Sequence, residues 1–406
     1  MRTIAKRAWH RLRTIAPEYA LYPLIVLIVL LVMGAFTGRT LPTGNPYSSY
    51  TLQACAWLEG HLDVNPNFTW LELAEYGGKS YVSFPLFPSY VMLPFAAIFG
   101  MDTPDHFINL VVTLLGVVYA LRIYRRMTGS SRHAERYVLY LYLANGYLFI
   151  ALQGWVWFLA QTMCFTLSLM AVDAAQRGKS GWALAWWACA VGCRPMAVLY
   201  LPLLAYLLSK SGVRHGWKRR MLNLLPAALI AASYMVLNYL RFGNPLEFGH
   251  TYLPEFQLAE NGQFSLAYAP EHLRQLIRLP EYQGSGQPLA FDSYDCMAFY
   301  LITPMLVTFL CVYCYALIRR RRRNAFWLIA MPLMAGVHLL IIVCHKTLGG
   351  FQFGNRYLLD MLPWVYVAIL ALKPSSGRTS MLNVPLMVMG FCINLLGAVG
   401  AYAGWL

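Results

Sequence analysis

Apolar runs separated by short polar segments recur along the chain from Leu21 to the C-terminus. Most approach the length of about 20 residues that a helix needs to cross the hydrocarbon of a bilayer. The pattern predicts crossings over about 19–37, 106–124, 137–152, 156–174, 221–240, 298–318, 325–344, 357–372 and 381–402. The run from Trp182 to Leu208 is different, because "CRP" at Cys193–Pro195 interrupts it and cationic segments, "RGK" and "KSGVRHGWKRR", bound it on both sides. Two short helices that enter the membrane and return fit this stretch, with Arg194 at their junction. The fold class is therefore an all-α polytopic membrane protein of about eleven helices. Arg194 is either an intramembrane functional residue or an arginine reaching the headgroups.

Charge orients these helices. Of the 32 Lys and Arg, 24 fall in segments that the pattern places on one side, and 14 of the 17 Asp and Glu fall on the other. That asymmetry is the positive-inside rule, and it puts the N-terminus in the cytoplasm and the acidic loops outside. It also accounts for the formal charge of +15 without a nucleic-acid partner. The apolar run Leu21–Phe36 resembles a signal peptide core, but "TGRTLPTG" after it offers no small-x-small cleavage site, so it reads as a retained anchor. Only one crossing fits between Gly38 and the cationic block "RIYRRMTGSSRHAER". Of two competing runs, Leu86–Gly100 is short and carries Pro88 and Pro94, so His106–Tyr124 is the crossing. Phe84–Gly100 then lies along the outer interface with its aromatics at headgroup depth. The expected organisation is a transmembrane module over 1–240 whose first outer loop spans 38–105, a second outer loop over 241–297, and C-terminal helices over 298–406.

The mean hydropathy of +0.49 and the 12% charged residues fit a chain that lives mostly in lipid. No P-loop, HExxH, GxSxG or dinucleotide fingerprint occurs, no metal ligand is assigned and no cofactor is called for. The nine cysteines lie mostly in apolar runs, and "CVYC" at Cys311–Cys314 has no thioredoxin-like context around it. His106 and His338 read as packing or interfacial histidines. The ionisable residues gather on the outer side: Glu59, Asp63, Glu72, Glu75 and Lys79 in the first loop, and His345, Lys346 and Arg356 in a short third loop. A carboxylate beside cations suits transfer from a lipid phosphate, the acid deprotonating an acceptor hydroxyl and the cations stabilising the departing phosphate. Solvated loop charges are the plainer reading. Arg356 and Asp360, four residues apart, either form a helical ion pair or leave Arg356 for a phosphate.

Five stretches together resemble a family. "YTLQACAWLEGHLDV", "WLELAEYGGKSYVSFPLFPSYVMLPF", "GCRPMAVLYLPLLAYLL", "NYLRFGNPLEFGHTY" and "FGNRYLLDMLPW" are similar, in this order, to the polytopic GT-C glycosyltransferases that use polyprenyl-phosphate sugars, among them protein O-mannosyltransferases and aminoarabinose transferases. The resemblance runs from the first helix to about Leu372. It implies a seven-helix module, a first outer loop lying on the membrane, a lipid-linked donor, and an acid near the end of the first helix as base. Here no acid occurs between Phe36 and Glu59, and Asn45 and Tyr47 occupy the stretch where one is expected. The base is then sought at Glu72 first, because "WLELAEY" resembles the acid-bearing segment of such relatives, and otherwise at Asp63 or Glu75. The substrate-binding set is Lys79, Arg194, Lys346 and Arg356, with Glu247 and His250 of "NPLEFGHTY". The expected function is transfer of a sugar from a polyprenyl-phosphate donor to an unspecified lipid, glycan or protein acceptor at the extracytoplasmic face of the plasma (inner) membrane, with membrane lipid as the surrounding partner. A non-catalytic lipid or glycan transporter or scaffold is the alternative.

Overall fold

The structure, a computed structural model, describes residues 17–38, 41–42, 44–213, 216–282, 284, 296–319, 324–374 and 378–404. The basic N-terminal segment, most of Arg319–Arg323 and the acidic end of the second outer loop lie outside the described residues. The chain is mostly helical. Its helices are α1 (Glu18–Phe36), α2 (Ser49–Leu58), α3 (Phe87–Phe99), α4 (Asp105–Thr128), α5 (Glu135–Leu143), α6 (Tyr147–Ala151), α7 (Val156–Gln176), α8 (Ser180–Val191), α9 (Leu201–Lys210), α10 (Trp217–Phe242), α11 (Pro254–Gln257), α12 (Ala269–Ile277), α13 (Phe299–Ile302), α14 (Met305–Ile318), α15 (Ala325–Cys344), α16 (Leu362–Leu372) and α17 (Arg378–Ala403). Among the described residues six of these, α1, α4, α7, α10, α15 and α17, are long and apolar enough to cross a membrane.

Three expected crossings are broken, each for a local reason. The run 137–152 divides into α5 and α6 at Ala144–Gly146, where Asn145 turns its amide onto the Tyr140 carbonyl (2.6 Å) and accepts from the Met305 N–H (3.2 Å). A side-chain amide that bonds the backbone in this way competes with the helix ladder. The run 298–318 divides into α13 and α14 at Thr303–Pro304, since proline removes a donor, and Asn394 satisfies the freed carbonyl of Ile302 at 2.9 Å. The run 357–372 begins as a tight 3₁₀ turn over Arg356–Met361 before α16 starts.

An all-α chain was expected, and one element departs from it. Leu73–Tyr76 and Lys79–Val82 pair antiparallel as β1 and β2, with Tyr76 opposite Lys79. The turn is Gly77–Gly78 with φ of +59° and +73°, the geometry of a two-residue type I′ hairpin, which L-residues with a Cβ adopt poorly. The hairpin docks on the end of α10: Tyr76 and Tyr81 pack against Phe242, and buried Arg241 donates to the Val82 carbonyl at 3.1 Å.

Two close approaches settle how the loops return. Gly44, near the start of the first long loop, lies so close to its end that a Cβ there would sit 2.7 Å from the Met101 carbonyl. The loop thus closes at one end of the bundle, and α4 alone leads away from it. Likewise a Cβ on Gly178 would lie 2.4 Å from the Val213 side chain, so the stretch from α8 to α9 begins and ends together as a re-entrant pair. At that same end Asp173, fully buried, meets Arg122 (3.0 Å), Arg126 (3.6 Å) and Arg177 (3.1 Å). The opposite end carries the three loops. The Ser265 N–H donates to the Cys344 carbonyl at 2.8 Å and the Lys346 N–H to Gln263 at 2.9 Å, which joins the second loop to the third. At the centre α7 is buried along nearly all its length, with Trp157 and Gln176 half-buried. Packing there is tight enough that a Cβ on Gly116 would meet the Tyr142 hydroxyl at 2.5 Å, the small-residue contact by which helices approach in lipid.

Candidate active site

Where the three loops meet the re-entrant pair, a cavity of about 430 Å³ opens, walled by residues from each of these parts. The hairpin segment supplies Glu72 and Phe84, and α7 supplies Trp157. Arg194 and Met196 come from the re-entrant junction, Glu247, His250, Glu255 and Phe256 from the second loop. His338, Ile341 and His345 come from α15 and its end, and Gly349, Arg356, Tyr357 and Asp360 from the third loop.

Local sequence places both arginines. Pro195 bars Arg194 from the helical region, and its φ of −142° and ψ of 110° turn the side chain out of the α8 path into the cavity. Asn355 caps the 3₁₀ turn by accepting from the Leu358 N–H at 3.2 Å, which sets Arg356 at the first position of the turn. Of the two readings of Arg356 and Asp360, the helical ion pair does not form. Residues three apart eclipse in a 3₁₀ turn, so a residue at i+4 points elsewhere. Asp360 instead accepts from Arg194 Nε at 2.9 Å and from Gln161 Nε2 at 2.8 Å. Arg356 is therefore left with an odd status: it is 4% exposed, yet its Nε and Nη1 have no hydrogen-bond partner among the described residues. The ring of Tyr357 stands between the two cations, 4.9 Å from each guanidinium carbon, and so tempers their repulsion. Gly349 takes a φ of +118°, and a Cβ there would lie 3.2 Å from Arg356 Nε, so glycine keeps the approach to this guanidinium open.

The acids differ in their commitments. Glu72 accepts from Trp157 Nε1 at 3.1 Å, and burial raises its carboxyl above the ordinary range against the lowering effect of that bond. Glu247 spends both oxygens on its own turn, accepting from the Gly249 N–H and the Thr251 hydroxyl at 2.6 Å each. Burial raises the Glu255 carboxyl, partly offset by Lys346, whose ammonium donates to the Glu255 backbone carbonyl. The rings of His250 and His345 stack 6.2 Å apart beside Phe256. Burial pushes the His250 imidazole down to about 4, with His345 and Arg194 adding to the shift, and burial lowers His345 as well. His250 Nδ1 has no partner among the described residues.

Glu72, Arg194, Arg356, Glu247 and His250 thus stand together at the cavity, with Lys346 just behind its wall. Asp63, Glu75 and Lys79 do not line it. Lys79 pairs with Asp63 at 2.9 Å on the exposed side of the hairpin, and Glu75 accepts from the Ser80 hydroxyl across the strands at 2.5 Å. Trp157, Glu255, His338 and Asp360 line it as well. Of these the sequence gives a signal only for Asp360, through its spacing from Arg356.

No family model matches the chain, and no curated protein matches it in sequence. Solved structures do match in fold. One is ArnT from Cupriavidus metallidurans bound to undecaprenyl phosphate, with a TM-score of 0.50 and 17% identity over 91% of this chain and 62% of that one. Another is the Archaeoglobus fulgidus oligosaccharyltransferase in the apo form, with a TM-score of 0.51 and 13% identity over 93% of this chain and 56% of that one. The chain shares the fold of both while spanning less than two thirds of the length of either.

Proposed function

We propose that the chain is a membrane glycosyltransferase that takes a sugar from a polyprenyl-phosphate donor and passes it to an acceptor at the extracytoplasmic face. The observation that carries this reading is the buried guanidinium of Arg356, whose Nε and Nη1 have no partner among the described residues, in a cavity bordered by apolar helices. An uncompensated buried cation is expensive, and it is stabilised when a ligand brings negative charge and acceptor oxygens. A phosphate does both, and a planar guanidinium grips it with two parallel hydrogen bonds. Arg194, held by Asp360, faces the same space as a second cation. The fold shared with a protein solved bound to undecaprenyl phosphate supports a donor of that class.

In this reading Glu72 is the base. Its carboxylate lines the cavity and accepts one protein bond among the described residues, from Trp157 Nε1, and a raised carboxyl is a stronger proton acceptor once ionised. The acceptor hydroxyl gives its proton to Glu72 as its oxygen bonds the anomeric carbon. The bond from that carbon to the phosphate oxygen breaks, and the electron pair leaves on a phosphate that Arg356 and Arg194 hold. The ends of the broken helices, together with the six long ones, complete about eleven helices in the bilayer, with the N-terminus cytoplasmic and Phe87–Phe99 along the outer interface.

The test is binding of undecaprenyl phosphate to the solubilised protein by native mass spectrometry, for wild type, Arg356→Lys and Arg194→Gln. The reading expects tight binding by wild type, weakened in both variants with folding intact. Equal binding in all three would remove the phosphate site from this cavity.

A further inference from the structure

A second buried donor faces the cavity and has no place in the scheme above. His338, in the middle of α15, is 1% exposed and lines the cavity with Arg194, Arg356 and Asp360. Its Nδ1 lies 2.7 Å from the Tyr200 hydroxyl, and its Nε2 has no partner among the described residues. Which nitrogen carries the hydrogen follows from counting donors and acceptors. Tyr200 is fully buried, with its ring stacked on Trp364 at 5.3 Å and 8°, and His338 is the sole hydrogen-bond partner of its hydroxyl among the described residues. If Nδ1–H donated to Tyr200, the phenolic hydrogen would be buried with no acceptor. If Tyr200 O–H donates to Nδ1, the phenol and Nδ1 are both satisfied and a single polar group is left over, the imidazole hydrogen on Nε2. Nε2–H is then a buried donor without a partner among the described residues, in the same cavity as Arg356, whose Nε and Nη1 also lack one there.

We propose that His338 is a further binding residue of this cavity, its Nε2–H donating to a phosphate oxygen of the lipid-linked donor, and that Tyr200 is the positioning residue that keeps the hydrogen on Nε2. The proposal rests on the donor reading above. A phosphate offers several acceptor oxygens, so it accepts from Arg356 and from a neutral imidazole together. The histidine adds direction without adding a third positive charge to a cavity that already holds two arginines.

The test uses the full chain in detergent, with undecaprenyl phosphate and, separately, inorganic phosphate as probes. His338→Leu is expected to weaken undecaprenyl phosphate about tenfold, the loss of one hydrogen bond to a charged group. His338→Gln, whose amide supplies an N–H, is expected to stay within about threefold of wild type. Tyr200→Phe alone is expected to weaken binding about threefold, and to add nothing in the His338→Gln background, because it acts through the imidazole. The same order with inorganic phosphate assigns the contact to the phosphate group alone; the order seen with the lipid only means that the polyprenyl chain seats it. Wild-type affinity in folded His338→Leu, or equal losses in His338→Leu and His338→Gln, overturns the proposal. Should His338→Leu fail to fold, Tyr200→Phe, which keeps the ring on Trp364, decides it: unchanged affinity overturns the proposal. If wild type binds neither probe, the donor reading falls first, a result separable from loss of the His338 effect alone.

Discussion

Arg356→Met is expected to stabilise the empty protein while abolishing donor binding. Arg356 holds two buried guanidinium nitrogens without partners among the described residues, and each orphaned donor costs about 1–3 kcal/mol. Methionine fills much of the same volume and removes both. It also removes the stacking of the cation on Tyr357, 4.9 Å away, and its more distant contact with Phe158 at 5.8 Å, together on the order of 1–2 kcal/mol. The net effect is a gain of roughly 0–5 kcal/mol for the unliganded state. Binding moves the other way. Two charge-assisted bonds to a phosphate at about 1.5–3 kcal/mol each make a loss of at least a hundredfold in affinity. The assay is thermal unfolding of the solubilised protein with and without undecaprenyl phosphate. Wild type should melt lower and shift upward with lipid, since a ligand that binds the native state stabilises it. Arg356→Met should melt higher and not shift. A variant that melts below wild type and keeps the lipid-induced shift would refute the reasoning, because Arg356 would then be a packing residue.

Three further outcomes follow from the same geometry. His250, whose folded value of about 4 lies below the ordinary 6.5, stays neutral in the native state while the unfolded chain takes up a proton, so stability should fall as pH drops from about 6.5 to about 4 and then level off. The contribution is on the order of 3 kcal/mol; His250→Asn should flatten that part of the melting profile, and an unchanged slope would count against it. Gly349→Ala puts a Cβ 3.2 Å from Arg356 Nε at a φ of +118°, so it should weaken donor binding in titrations, while wild-type affinity would mean that the loop does not govern access to Arg356. Cysteines introduced near Lys79 and Gln263 should react with an impermeant maleimide on intact cells, whereas cysteines near Ser130 and Val213 should not; labelling near Ser130 would reverse the topology.

Much of the architecture was legible because it follows from one-dimensional signals. Apolar length marked the long helices, the proline after Arg194 marked the re-entrant break, and the distribution of charge separated a basic end from an end of acidic loops. The hairpin departs from the all-α expectation, although the adjacent glycines between "LAEY" and "KSYV" are a turn signal, obscured by the apolar run that follows. What the sequence did not carry is partner choice across long separations. Asp360 looked like the helical neighbour of Arg356, but a 3₁₀ turn changed the period, and its partner Arg194 is 166 residues away in sequence. Lys79 and Asp63 looked like a site cation and a base, yet they neutralise each other on the exposed hairpin. His338 looked like a packing histidine, since its open nitrogen becomes visible only once Tyr200 is placed against the other one.

The most direct measurement of the central claim is the fate of a radiolabelled sugar on undecaprenyl phosphate, incubated with the reconstituted protein and membrane acceptors and compared between wild type and Glu72→Gln. The account predicts that wild type moves label from the lipid phosphate to an acceptor, and that Glu72→Gln binds the donor normally but transfers little, as loss of a general base lowers the rate about 10²–10⁴-fold. Undiminished transfer by Glu72→Gln would contradict the assigned base. Label that stays on its lipid across a panel of donors, while the lipid itself crosses the bilayer, would contradict the transferase and leave a transporter in its place.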